Sequence, residues 1–235
     1  MMDAHEAQSP NRLLSHLSVA EYAALQPYLR VAQLDAGHTL LDQDEPIHQL
    51  FFPLTAAISL LTVLDSGDQH EHVMVGNDGM VGFPALLDEG LSPFRALVQV
   101  PGDTLVLAPA ELPARGAAFE GLRKLASRYS VMMLRLTGQA AACAASHFVE
   151  ERIARALLRM RDLTGRDEIP ITHEFLALLL GVQRQTVTLA AGKLQREGLI
   201  RYGRGHITVI DRDGLERAAC ECYHAMRRAQ ERLFD

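Results

Sequence analysis

Five residues in the last quarter of the chain have the types and spacing to read a nucleic acid. Arg184, Gln185, Thr186, Thr188 and Lys193 are interleaved with Val187, Ala190, Ala191 and Leu194, which recur at helical spacing. The five therefore fall on the outer side or the edge of one helix. A guanidinium at position 184 can donate two parallel hydrogen bonds to guanine O6 and N7. The Gln185 amide can pair with adenine in the same two-point manner, and the Thr188 methyl suits contact with thymine. Thr186 is better suited to a phosphate or a local cap. Arg201 and Arg204, the second of them glycine-flanked in YGRGH, are expected to touch phosphates or the minor groove.

Net charge for the whole chain is -6, which at first argues against such a partner. Its distribution removes the objection. Residues 1–147 hold 8 Lys/Arg against 16 Asp/Glu, whereas residues 148–235 hold 15 against 13. From Arg184 to Arg204, Arg184, Lys193, Arg196, Arg201 and Arg204 face only Glu197. Phosphate attraction follows local charge rather than the sum.

These residues need elements to position them. Thr172 can cap a helix whose inner side is Phe175, Leu176, Leu179 and Leu180, with Glu174 near its positive end. Gly181-Val182 then supplies a tight turn before a second helix from about Arg184 to Arg196. Leu199-Ile200 and Ile207–Ile210 read as a hairpin with its tip at Tyr202–His206, where His206 can finish the turn. Upstream, a helix is expected from Val149 to Leu163, capped by Ser146, buried through Ile153, Ala156, Leu157 and Met160, and ended by Gly165.

The first thirty residues suggest short helices. From Gln33 to Ala108 the pattern changes to apolar segments such as HTLL, ISLLTVL, HVMV and ALVQV, divided by DQDEP, DSGD, GNDG and PGD. Such pieces predict an antiparallel roll. A long helix should follow, with Leu122, Tyr129, Leu136 and Cys143 seven apart and Ala126, Met133 and Ala140 between them. That a/d repeat is read as a dimer seam. The fold expected is α+β: a jelly-roll-like β-roll sensor domain (1–118), a dimerisation helix (119–146) and a winged helix-turn-helix domain with a helical extension (147–235).

The segment ITHEFLALLLGVQRQTVTLAAGKLQREGLIRYGRGHITV, together with GHTLLDQDEPIHQLFFPLTAAISLL and NDGMVGFPALL upstream, resembles the CRP/FNR superfamily of transcription regulators. The resemblance implies a homodimer that binds palindromic promoters in double-stranded DNA and contacts RNA polymerase. It also places Arg184 and Gln185 where the family's common Arg-Glu pair reads the operator. Leu189 stands where cyclic-AMP-responsive members carry a second DNA-contacting arginine, so an altered site is expected. In those members a Gly-Glu pair holds the ribose and an Arg-Ser or Arg-Thr pair the phosphate. Here Gly82 is followed by Phe83, and Phe94 precedes a displaced Arg95, so the cradle is incomplete and any small-molecule effector is of another kind.

Other chemistry is poorly supplied. Cys143, Cys220 and Cys222 are too few for a disulfide framework or a four-thiolate cluster. Cys220 and His224 would share a helical face, but metal binding would need further ligands, and the tail reads more simply as an apolar face of Leu215, Ala218, Ala219, Cys222, Met226 and Leu233. His38, His48, His70 and His72 lie in or near the roll, the last two on one strand face, where they read as polar surface rather than haem ligands. No cofactor or metal is expected, and nothing suggests an enzyme. No apolar run approaches the roughly 20 residues of a membrane span. Asp3 and Glu6 do not fit a secretory leader, so a cytoplasmic chain is expected. The competing reading is a small-molecule-binding protein whose winged module contacts protein instead of DNA.

Overall fold

Ser18 opens the first helix by a local exchange of hydrogen bonds. The computed structural model describes residues 9–87, 90–113 and 116–234, so Asp3 and Glu6 lie outside it. In α1 (Val19–Leu25) the Glu21 carboxylate accepts from the Ser18 amide at 2.8 Å, while Ser18 Oγ accepts from the Glu21 amide at 3.3 Å. That capping box satisfies two end amides, and the Ser18 hydroxyl, donating to the Glu21 carboxylate at 2.7 Å, together with the Ser18 amide holds that carboxyl below its ordinary pKa.

Seven strands follow: β1 (Arg30–Leu34), β2 (Thr39–Leu41), β3 (Leu50–Pro53), β4 (Ala57–Val63), β5 (Gln69–Val75), β6 (Arg95–Val100) and β7 (Gly102–Leu107). They form a three-stranded sheet ordered β1-β7-β3 and a four-stranded sheet ordered β2-β6-β4-β5. β7 pairs antiparallel with both neighbours, Val106 standing opposite Arg30 on one side and Phe51 on the other. The expected roll is therefore present. Two compact units divide the chain. One gathers the described residues up to Ile58 with Val75–Met133 and the last residues from Arg232; the other gathers Ser59–Met74 and Leu134–Glu231.

The long helix α2 spans Ala117–Ser146. Its expected seam faces inward: Leu122, Ala126, Tyr129, Met133, Leu136, Ala140 and Cys143 are all buried within the single chain. The reason is size. Large side chains at that spacing gain most by filling their own core, at about 1.5–3 kcal/mol each. Tyr129, for example, meets the Phe83 ring edge-on at 5.4 Å. The exposed apolar stripe on α2 is a different one, Val131, Leu134, Gly138, Ala141 and Ala145, with Val131 68% and Leu134 76% exposed. The cap also differs. Ser146 ends α2, and Phe148 occupies the cap position of α3 (Val149–Thr164), its amide donating to Glu151 at 2.9 Å.

In the second unit β8 (Glu168–Ile169), two residues long, precedes α4 (His173–Leu180) and α5 (Arg184–Arg196). β9 (Ile200–Gly203) and β10 (His206–Val209) form the hairpin, and β8 joins it in the order β8-β10-β9. α6 (Arg212–Ala218) is capped by Asp211, and α7 (Cys222–Glu231) follows a break. Cys220 lies in that break, so it does not share a helical face with His224, whose ring sits 3.6 Å from Glu216. The tail is tied to α3 by the Tyr223 hydroxyl, which donates to Asp162 at 2.6 Å. Burial and the Asp162 charge push that phenol up to about 12.

Candidate nucleic-acid interface

The recognition surface begins with the turn between α4 and α5. Thr172 Oγ1 accepts from the Phe175 amide at 3.1 Å, opening α4 as a cap. Gly181 closes α4 in the left-handed region at φ +62, where its amide bonds back to Ala177 and Leu178. A methyl group at that position would collide with the His70 ring, so both the backbone angle and the space require glycine. The chain then enters α5, whose inner face of Val187, Ala190, Ala191 and Leu194 is buried.

The opposite face is open. Arg184, Gln185, Thr186, Thr188, Leu189, Lys193 and Arg196 are exposed to solvent wholly or in part, Leu189 at 75%. Among the described residues Arg184, Arg196, Arg201 and Arg204 carry no ion pair, which leaves their charges available to a polyanion. Lys193 is the exception, 3.6 Å from Glu150. Arg201 lies on β9 and Arg204 in the turn beyond it; His206 completes that turn through Nδ1, 3.1 Å from the Arg204 carbonyl.

One histidine holds the three parts of this surface together. The Thr188 hydroxyl donates to the Arg184 carbonyl at 3.0 Å, so its oxygen can only accept at the His173 ring, 3.1 Å away. His173 Nδ1 therefore carries the proton. The same ring stacks on Tyr202 of β9 at 4.0 Å, and the Tyr202 amide donates to Gln195 of α5 at 2.8 Å. His173 Nε2 is buried without a hydrogen-bond partner, which suits a neutral ring. Burial first, and the Arg184 charge second, hold the His173 pKa below its ordinary value. Nothing in the sequence pattern singled out His173, Gln195 or Tyr202, because their roles depend on contacts between separate elements. The only local signal is the position of His173 immediately after the Thr172 cap.

The four residues considered for an effector are placed differently. Gly82 adopts φ +88 before a short turn and packs against Gln49, and Phe83 is buried. Phe94 is half-buried, and its carbonyl accepts from Ser92. The Arg95 guanidinium meets both Asp42 oxygens, at 2.9 and 3.0 Å, and that pairing holds the Asp42 carboxyl below its ordinary pKa. Arg95 is thus already neutralised by a carboxylate. In the second unit a cavity of about 50 Å³ lies beside Glu71, Arg155, Arg159 and Tyr223, and an open groove of about 430 Å³ runs along the outer face of α5 past Phe148, Thr186, Leu189 and Lys193.

A Crp-like helix-turn-helix domain model matches residues 151–218, spanning α3 to α6. A CRP-like cAMP-activated global transcriptional regulator of Mycobacterium tuberculosis is 26% identical over 212 residues, 84% of this chain and 91% of that protein. Among solved structures, a transcriptional regulator of the CRP/FNR family from Thermus thermophilus superposes with a TM-score of 0.66 at 25% identity, covering 81% of this chain and 98% of the other. Residues 151–218 thus match a Crp-like helix-turn-helix domain, and over most of its length the chain is similar to CRP/FNR-family transcriptional regulators. It combines a β-roll, a long helix and a helix-turn-helix, the architecture of those regulators. The transcriptional regulator SdrP of Thermus thermophilus is 37% identical over 81 residues, and the match spans only 40% of that relative. No single helix among the described residues is long and apolar enough to cross a membrane.

Proposed function

We propose that this chain is a CRP/FNR-family regulator, acting as a homodimer that places α5 in the major groove of each half of a palindromic promoter site. The observation that carries the reading is the exposed, ion-pair-free Arg184 in the first turn of α5, beside Gln185 and above the Thr188 methyl. The N-terminal turn of the second helix is the part that such modules insert. Thr186, Lys193, Arg201 and Arg204 would hold phosphates, and His173 would set the angle between helix and wing. The reading assigns residues 1–118 to sensing, 119–146 to dimerisation and 147–235 to DNA, in a cytoplasmic protein that contacts RNA polymerase and has no enzymatic activity.

Dimerisation is assigned to the exposed stripe Val131, Leu134, Gly138, Ala141 and Ala145, continued by exposed Phe148. These residues alternate three and four apart, the spacing of a two-helix seam. The Mycobacterium relative is named as cAMP-activated. Here Phe83 in place of a ribose acceptor and the closed Arg95–Asp42 pair argue for a different effector.

The test is selection of bound fragments from random DNA by the purified full chain, followed by affinity measurement on the selected site. Arg184→Ala should cost about 1–3 kcal/mol and relax preference at one base pair of each half-site. Parent affinity should fall steeply with salt. Equal affinity and selectivity in Arg184→Ala would refute the reading.

A further inference from the structure

We propose that Cys143, His147, Cys220 and Cys222 bind one zinc-type divalent ion in a closed tetrahedral site that ties the end of α2 to the tail. Neither the resemblance nor the DNA-reading surface requires such a site, and it stands independently of the reading above. The sequence separates its halves by more than seventy residues; folding brings them together.

Cys143 and His147 are one helical turn apart. The His147 amide donates to the Cys143 carbonyl at 3.1 Å, so both side chains leave the end of α2 on one side. Cys220 and Cys222 flank Glu221 where α6 gives way to α7. The four donor atoms all lie within 4.8 Å of one another. Cys143 Sγ is 3.5 Å from Cys220 Sγ, and Cys222 Sγ is 3.5 Å from His147 Nδ1. A tetrahedral ion with zinc–sulfur bonds near 2.3 Å and zinc–nitrogen bonds near 2.0 Å requires edges of about 3.5–3.8 Å. The cluster thus needs only a small contraction to surround a single atom. A multi-iron cluster would place irons and sulfides between the ligands and hold them farther apart.

The surroundings suit the same chemistry. All three cysteines are buried and unpaired as disulfides. The Gln139 amide donates to Cys222 Sγ at 3.1 Å, a bond that favours a thiolate and orients it. Arg152 and Arg155 of α3 act electrostatically on Cys143, and each has a buried Nε without a hydrogen-bond partner. Three thiolates, a neutral imidazole and a divalent ion carry a net charge of about minus one, which these guanidiniums offset. Zinc binds thiolates, so uptake of the ion displaces the protons that these thiols carry. Four protein ligands leave no open position, so the ion would hold structure rather than activate water.

The full chain, purified under reducing conditions without chelator, should contain one equivalent of zinc by elemental analysis. After metal removal, cobalt(II) should restore the intense visible bands of a tetrahedral thiolate-rich site at one equivalent, and zinc should bleach them. Cys222→Ser and His147→Ala should each weaken zinc binding by more than about 100-fold, and Gln139→Ala by about 10-fold. His147 is only half-buried, so its variant should keep the apo parent's far-ultraviolet dichroism even if a cysteine variant does not. Weak, non-stoichiometric cobalt binding with an octahedral spectrum would overturn the proposal. So would undiminished zinc affinity in a folded His147→Ala chain, or a Cys143–Cys220 disulfide that forms equally fast with and without zinc.

Discussion

At the scale of single residues, the recognition surface depends on a proton that His173 must not gain. Its ring donates through Nδ1 to Thr188, stacks on Tyr202, and leaves Nε2 buried beside the Arg184 charge. A second proton on Nε2 would have no acceptor. With the folded-state pKa below the ordinary 6.5, the unfolded chain binds more protons as the solution becomes acidic. The stability this residue contributes is therefore complete above 6.5 and is lost as pH falls through 6.5 toward the folded-state pKa. His173→Gln keeps an amide donor for Thr188 without a titrating ring. Its unfolding midpoint, followed by denaturant titration at about pH 7.5 and about pH 5.5, should fall less on acidification than the parent's. An equal fall in both chains would show that His173 is not the titrating group. The exposure of Arg184 and Gln185 was readable in the sequence because an amphipathic helix divides its faces in one dimension. His173 was not, since its partners lie 15 residues away on α5 and across the hairpin on β9.

At the scale of elements, glycine decides where α4 stops and α5 can begin. Gly181 combines φ +62 with the adjacent His70 ring, so Gly181→Ala adds both backbone strain and a collision. The expected loss is about 1–3 kcal/mol, which in a chain of this length lowers the thermal midpoint by roughly 2–4 °C per kcal/mol. A variant with an unchanged midpoint would mean that the turn relaxes freely. The bounds of α5 and the hairpin could be read from period and turn residues. β8 could not, because two residues carry no alternation and its pairing with β10 is fixed only by the return of the chain. The break between α6 and α7 was hidden in the same way: Cys220 and His224 fit a helical face until Ala219 and Cys220 leave the helix. In α2 two apolar stripes compete. Large Leu, Tyr and Met residues give the stronger periodic signal and go to the chain's own core. The smaller residues on the outer face give the weaker signal and stay exposed.

At the scale of the whole molecule, that outer stripe carries the last prediction. A reader of a palindrome needs two recognition helices held about 34 Å apart, one turn of DNA, which two chains related by a two-fold axis supply. Val131 and Leu134 are the largest aliphatic side chains that α2 leaves exposed, and Gly138, Ala141 and Ala145 beyond them would let two helices approach closely. Leu134→Glu would bring two carboxylates together at the end of such a seam that carries its largest side chains. It should raise the dimer dissociation constant by about thirty-fold or more, equivalent to the roughly 2 kcal/mol carried by a large anchoring interface residue. Because Leu134 is 76% exposed in the single chain, the substitution should leave the fold of the monomer intact. Sedimentation should then show monomers where the parent forms dimers. Binding to a single half-site should persist while the gain from a second half-site disappears. Leu136→Glu, on the buried stripe, should instead unfold the chain. If Leu134→Glu left the dimer and its two-site affinity unchanged, the second copy would have to join through another surface.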